Sequence, residues 1–330
     1  MQGLGSFPVP SPFCLALGQT LRGAPVDEIA RQITLVVGIS AAAFIGPFIA
    51  LCFLILRKRR ARAQRRSPLG IDMLRGPGHT LRQQLEVANE DQLSDLFTLM
   101  VLPLLWLCVA LAQGHLRGVQ EMVRTAPLYV VVGVAFLAFM VRKLLKAAAH
   151  LDNLKAGFDA ELAVGQELDQ LMRRGAFIFH DIPAEHFNID HVVVAGEGVF
   201  AVETKGFTKP QHIKGKAAAK VFCDGELLKF PTWTTKEPLD QADRQAAWLA
   251  KWLTGAVGSQ VQVQPVLALP GWFVERSGRS VVKVYSGKEL AGLLNDAGTQ
   301  VLTAQDVKRI AHQIEQRCRT VAPLYTRQAR

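Results

Sequence analysis

From Ile33 to Leu56 the chain runs for 24 residues without a charge. That exceeds the roughly 20 residues a helix needs to cross the hydrocarbon layer of a bilayer. A backbone in lipid must satisfy its own hydrogen bonds, so such a run is constrained to be helical. It ends in Arg57-Lys58-Arg59-Arg60, with Arg62, Arg65 and Arg66 close behind. A basic flank of this kind predicts that the end of the span faces the cytoplasm. A cleaved signal peptide would carry its basic residues on the other flank and start earlier. The basic run is read as a topology determinant in contact with anionic headgroups rather than as a nucleic-acid patch.

Two more apolar runs follow. Phe97–Gln113 includes Pro103, and Ala126–Val141 closes with Arg142-Lys143. They are short for spans, and the segment from His115 to Thr125 between them is expected to be a short loop. Together they predict a transmembrane hairpin within 96–146, with a buried soluble helix pair or a re-entrant segment as the alternatives. Three spans place both basic ends, 57–66 and 142–146, on one side. Residues 151–330 then lie in the cytoplasm, and the expected location is a prokaryotic inner membrane with the lipid bilayer as a partner. Residues 1–32 form an extracytoplasmic segment, and 57–95 a basic cytoplasmic linker. Within it, Gly70, Gly76, Pro77 and Gly78 precede a polar, helix-like stretch from Thr80, whose role is not legible.

Charge supports this division. Of 38 Lys+Arg and 28 Asp+Glu, residues 1–150 hold 16 and 8, and residues 151–330 hold 22 and 20. The basic excess therefore sits beside the apolar runs and is no signature of nucleic-acid binding. The cysteines Cys14, Cys52, Cys108, Cys223 and Cys318 form no CxxC pair and have no zinc-ligand spacing.

In the second half, Leu154 to Arg174 reads as an amphipathic helix, with Leu154, Phe158, Leu162, Val164, Leu168, Leu171 and Met172 on one face. Glu161 falls at the centre of that stripe. A carboxylate there is costly unless it is paired or meets a metal, although a place near the first turn and the helix dipole account for it equally well. Strands are expected at 177–182, 189–195 and 199–205, with Gly196-Glu197-Gly198 turning between the last two. Alternation puts Glu203 and Lys205 on one face at the end of an apolar strand, and a tight hairpin brings Asp190 near Glu203. Further on come a hairpin over 216–230, a helix from Pro238 to about Leu253, strands at 263–269 and 280–285, and a closing helix at 303–319 with Thr303 as its N-cap.

Two carboxylates on adjacent strands can hold Mg²⁺ or Mn²⁺, hard cations that prefer oxygen. Such an ion acidifies a water and screens a phosphate, and the adjacent ammonium offsets negative charge building on the phosphoryl oxygens. Glu161 could complete the shell. Glu203 and Lys205 are equally satisfied as a surface ion pair, which contributes only ~0–1 kcal/mol. Lys214 and Lys216, following the strand, fit phosphate contact or a solvated loop. His191 points to the face opposite Asp190 and reads as structural.

The residues Gly157-Phe158-Asp159-Ala160-Glu161, Ile189-Asp190-His191-Val192-Val193-Val194 and Gly198-Val199-Phe200-Ala201-Val202-Glu203-Thr204-Lys205-Gly206 resemble the nuclease-related domain (NERD) family. That family is similar to the PD-(D/E)xK restriction-endonuclease-like superfamily. The resemblance covers about residues 155–270. It implies an α/β fold with a mixed sheet flanked by helices, here preceded by an α-helical transmembrane region. It implies Asp190 and Glu203 as metal ligands, Lys205 as the catalytic lysine and Glu161 as an accessory acid. Pro238-Leu239-Asp240-Gln241 is similar to a Pro-x-x-Gln of the family, so Gln241 is a candidate for substrate or water, although Gln241 and Gln245 also border a Trp-containing core face. Ile189 stands where the superfamily has Pro, which supplies no ligand. Residues 271–330 are expected to extend the domain. The implied function is a membrane-anchored, Mg²⁺-dependent endonuclease acting on DNA, less on RNA. The alternative is an inactive nucleic-acid-binding or protein-interaction module tethered to the membrane.

Overall fold

In a computed structural model, the described residues are 26–63, 68–210, 216–295 and 301–323. The expected N-terminal extracytoplasmic segment and the C-terminal tail lie almost wholly outside them.

The chain first forms helix α1, Val26–Ala63, which contains the first uncharged run. After a two-residue strand β1, Met73–Leu74, come two long helices, α2 at His79–Arg117 and α3 at Val119–Asp169. Only Gly118 separates them, at φ +90, so the expected loop from His115 to Thr125 is not there. Glycine is the residue that takes this left-handed conformation without a Cβ penalty. Pro103 and Pro127 lie inside the two helices. Both helices are long and apolar enough to cross a membrane. Leu105, Leu107, Val109, Val130, Val131 and Val134 on them are exposed, an accumulation of bare aliphatic surface that water disfavours. The two helices meet through an ion pair, Lys143 Nζ to Asp95 Oδ1 at 2.5 Å, and an edge contact of Trp106 on Tyr129.

The chain divides into two compact units. One holds residues 1–64 and 94–144, the other 65–93 and 145–330. Residues 65–93, read from the sequence as a connection, thus fold with the second unit. Likewise the third apolar run and the amphipathic helix expected from Leu154 are one continuous element, α3, which ends in a 3₁₀ turn at Gln170–Arg174. Met172, placed by periodicity on the apolar face, is exposed because it falls in that turn, where the helical phase changes.

The remaining elements are β2 (Phe177–Pro183), β3 (Asn188–Ala195), β4 (Gly198–Thr204), β5 (Lys220–Cys223), β6 (Leu228–Lys229), β7 (Thr234–Thr235), α4 (Glu237–Val257), β8 (Val263–Leu269), β9 (Phe273–Arg276), β10 (Lys283–Ser286), a 3₁₀ stretch at Gly287–Asn295, α5 (Ala304–Cys318) and β11 (Arg319–Val321). The main sheet has the order β10-β8-β4-β3-β2. β2, β3 and β4 pair antiparallel, while β4–β8 and β8–β10 are parallel. The parallel β4–β8 pair requires a crossover, and α4 lies within it. A smaller sheet runs β7-β6-β5-β9, and β1 pairs with β11.

Both faces of the main sheet are covered, so β3 and β4 are apolar nearly throughout rather than alternating. Val192, Val194, Val199 and Ala201 pack against Leu249 and Leu253 of α4 and Val307, Ile310 and Ile314 of α5. Val193, Phe200 and Val202 pack on the other face against Val164 and Leu168 of α3 and against Leu290 and Leu293. Thr303 caps α5, its Oγ1 accepting from the Asp306 N–H. Asp224 closes the β5–β6 hairpin by accepting from the N–H groups of Glu226 and Leu227, with Gly225 at φ +101.

Candidate active site

The site lies where β4 runs out of its apolar core. The β3–β4 ladder ends at His191 opposite Val202. One step further, Asp190 stands opposite Glu203, and directly opposed side chains share a face with Cβ atoms about 5 Å apart. Asp190 is anchored there because its Oδ2 accepts from the Thr204 N–H at 2.7 Å. Glu203 is 2 % exposed and pairs through Oε1 with Lys205 Nζ at 2.8 Å. Lys205 Nζ in turn donates to Gln241 Oε1 at 2.9 Å. Gln241 sits in the first turns of α4, so the crossover helix that closes the parallel pair also delivers this amide to the lysine.

Glu161 reaches the same place from α3. The close approach is made at Gly206, where a Cβ would stand 2.7 Å from both the Ala156 carbonyl oxygen and Ala160 Cβ. Any larger residue would push the strand end away from the helix. Burial and the carboxylates of Asp181 and Glu203 push the Glu161 acid up to about 7. Burial, then Glu203 and Glu161, hold the Asp190 acid well above its ordinary range, against the Thr204 N–H. Burial also raises Glu203, opposed by the ammonium of Lys205 and the amide of Gln245. Burial disfavours the Lys205 cation, but Glu203, Asp190 and Glu237 outweigh it and raise its pKa. Three carboxyl groups thus act electrostatically on one another and on one lysine, with Glu203 in direct contact with it. The negative charge exceeds the positive charge, and each acid holds its proton more tightly than in water.

The structure therefore brings together Asp190, Glu203, Lys205, Glu161 and Gln241. Lys214 lies outside the described residues, and Lys216 falls in a 3₁₀ turn at Lys216–Ala219 with its side chain outside them. Sequence reasoning gave little weight to Gln245, which is 3 % exposed and donates to the Asn188 carbonyl beside Glu203. It missed Asp181, whose carboxylate lies close enough to raise Glu161. No periodicity marks a single acid inside a strand. The nearest signal is that Asp181 keeps the β2–β3 register, opposite Asp190, between the bridged pairs His180–His191 and Ile182–Ile189.

His191 is fully buried and turned to the α3 side. Its Nδ1 pairs with His180 Nδ1 at 2.9 Å, and His180 Nε2 meets Asp169 at 3.1 Å. Burial, then His180, lower the His191 pKa well below the usual range, so it is a neutral packing residue beneath Asp190.

Among the described residues no three of His, Cys, Asp and Glu are gathered closely enough to enclose an ion as they lie. The donors fit a hard cation in kind. All are oxygens, and Glu203 Oε2 is buried without a hydrogen-bond partner. A bare buried carboxylate oxygen is costly, and a divalent cation would offset both that cost and the mutual repulsion of the acids.

Residues 156–270 match the family model of the nuclease-related domain. No curated protein and no solved structure matches the chain.

Proposed function

We propose, for a chain whose residues 156–270 match the family model of the nuclease-related domain, that it is a divalent-metal-dependent phosphodiesterase acting on nucleic acid, on DNA before RNA, and held at a membrane by α2 and α3. The observation that carries this reading is the convergence of Asp190, Glu203 and Glu161 on Lys205 at the end of β4. The length and apolar composition of the two helices support the membrane.

Asp190, Glu203 and Glu161 are the residues that would hold Mg²⁺ or Mn²⁺, which supplies charge neutralisation at the phosphate and a more acidic water. Lys205 places an ammonium beside the developing negative charge on the phosphoryl oxygens. Gln241 fixes the direction of that ammonium through its Oε1. Without the cation the Glu161 acid is raised to about 7, so near neutral pH the ion would compete with a proton for this carboxylate. Gln245 places an amide near Glu203 that opposes the rise of its pKa.

The test is nicking of supercoiled plasmid by the purified full chain in detergent, with Mg²⁺ and with EDTA. Cleavage that requires the ion and is lost in Asp190→Ala and Glu203→Ala is the expected result. Absence of cleavage, or equal cleavage by both variants, removes the enzyme claim. A second reading, a nucleic-acid-binding module without activity, draws on the closed Glu203–Lys205 pair and the absence of a gathered ligand cluster among the described residues. Divalent-ion binding that depends on Asp190 and Glu203 decides between them.

A further inference from the structure

From four residues before α2 into its first turn, the chain makes a series of contacts with the acids of the site. Arg75 Nη1 meets Asp181 Oδ2 at 2.9 Å and Arg75 Nε donates to Thr320 Oγ1. Thr80 Oγ1 donates to the same Asp181 oxygen at 2.7 Å, and Asn188 Nδ2 donates to Thr80 Oγ1 at 2.7 Å. Asp181 is 3 % exposed and adopts φ +50, a left-handed conformation that costs a non-glycine residue about 1 kcal/mol or more. Its carboxylate is thereby turned toward Arg75. Between these anchors, Gly78 is packed against Phe158 so closely that a Cβ would lie 2.7 Å from the ring, and its backbone N–H bonds the Glu161 carboxylate. Pro77 lies against Gly165, one turn further along α3, with no room for a Cβ there. The Arg75 N–H bonds the Cys318 carbonyl, which ties the segment to the end of α5.

We infer that Arg75 and Thr80 are positioning residues of the active site. The segment 75–80, outside the matched residues 156–270, completes it by fixing Glu161 and by binding Asp181 away from the cation position. An uncommitted Asp181 would stand opposite Asp190 and compete with it for the ion. The competing role is purely structural: a buried acid needs a cation, and Arg75 supplies one. This inference rests on the proposed metal-dependent reaction, and its test separates the two.

The experiment uses the full chain in detergent and the variants Arg75→Ala, Arg75→Lys and Thr80→Val. Three quantities are read: amide hydrogen exchange across 157–165 and 178–183, Mn²⁺ binding by the metal alone, and Mn²⁺-dependent plasmid nicking. In Arg75→Ala, exchange in both stretches is expected to accelerate while α4 stays unchanged. Mn²⁺ binding should weaken about tenfold, and nicking should need correspondingly more Mn²⁺. Thr80→Val should follow in the same direction and Arg75→Lys should restore part of the loss. Unchanged exchange at 157–165 overturns the inference whatever the nicking shows. Faster exchange with wild-type Mn²⁺ binding and nicking also overturns it, leaving a merely structural clamp. A wild-type chain that neither binds Mn²⁺ nor nicks DNA sinks the parent reading, and this one with it, by a different pattern of results.

Discussion

Glu161 shows how much a single carboxyl group costs when it is held in this place. Its acid is raised from 4.5 to about 7, so the folded state binds a proton that the unfolded chain gives up between those values. Stability therefore falls as pH rises from about 4.5 to 7, and the loss is complete above 7, where it is worth about 3 kcal/mol by linkage. Glu161→Gln is expected to be more stable than wild type at pH 8 in EDTA and equal to it below pH 4.5, as read from urea midpoints at both pH values. The same variant should lose activity, so stability and function are opposed at this residue. Lys205→Ala should lower the cleavage rate by roughly 100-fold or more while leaving nucleic-acid binding less affected. Asp190, Glu203 and Lys205 were legible in the sequence because they flank apolar strands, Asp190 near the start of β3 and Glu203 and Lys205 at the end of β4, at a spacing that alternation can place. Asp181 and Gln245 were not, because a lone acid in a strand and one glutamine on a helix carry no pattern until a third element meets them.

At the level of elements, the strands of the main sheet were easy to place. β3 and β4 are buried on both faces, so their apolar runs stand out and their turns are marked by glycine. The two long helices were harder. Apolar composition marks which part of a helix avoids water, not where the helix stops, so polar residues from His115 to Thr125 read as a loop although only Gly118 interrupts the helices. The join of β4 to α3 depends on Gly206. Gly206→Ala would drive a methyl to 2.7 Å from the Ala156 carbonyl oxygen, and overpacking of this kind costs about 1–3 kcal/mol. A lowered thermal midpoint together with loss of nicking is expected, because the shift separates Glu161 from Glu203. An unchanged midpoint would mean that the strand end relaxes freely.

For the whole molecule, the boundary of the working unit lies well before the matched domain. Residues 65–93 belong with 145–330, through the β1–β11 pairing and the Arg75–Asp181 pair. A fragment beginning at residue 145 leaves Asp181 buried without its cation, a loss of about 3–5 kcal/mol for a pair broken from one side. Urea titration of the 145–330 fragment should show a reduced midpoint, and adding 65–93 as a separate peptide should raise it. An equal midpoint with and without the peptide would mean that the unit does not need the segment. The sequence left that segment without a role because its partners, from Phe158 to Thr320, lie far along the chain.

The thiol of Cys318 is fully buried, and burial pushes it up to about 12, so almost none of it is thiolate at neutral pH and alkylating reagents find no nucleophile. Its carbonyl accepts from the Arg75 backbone N–H. An excursion that frees the 75–80 segment from the end of α5 breaks this bond, so the rate at which an added maleimide consumes Cys318 serves as a clock for how often the site comes undone.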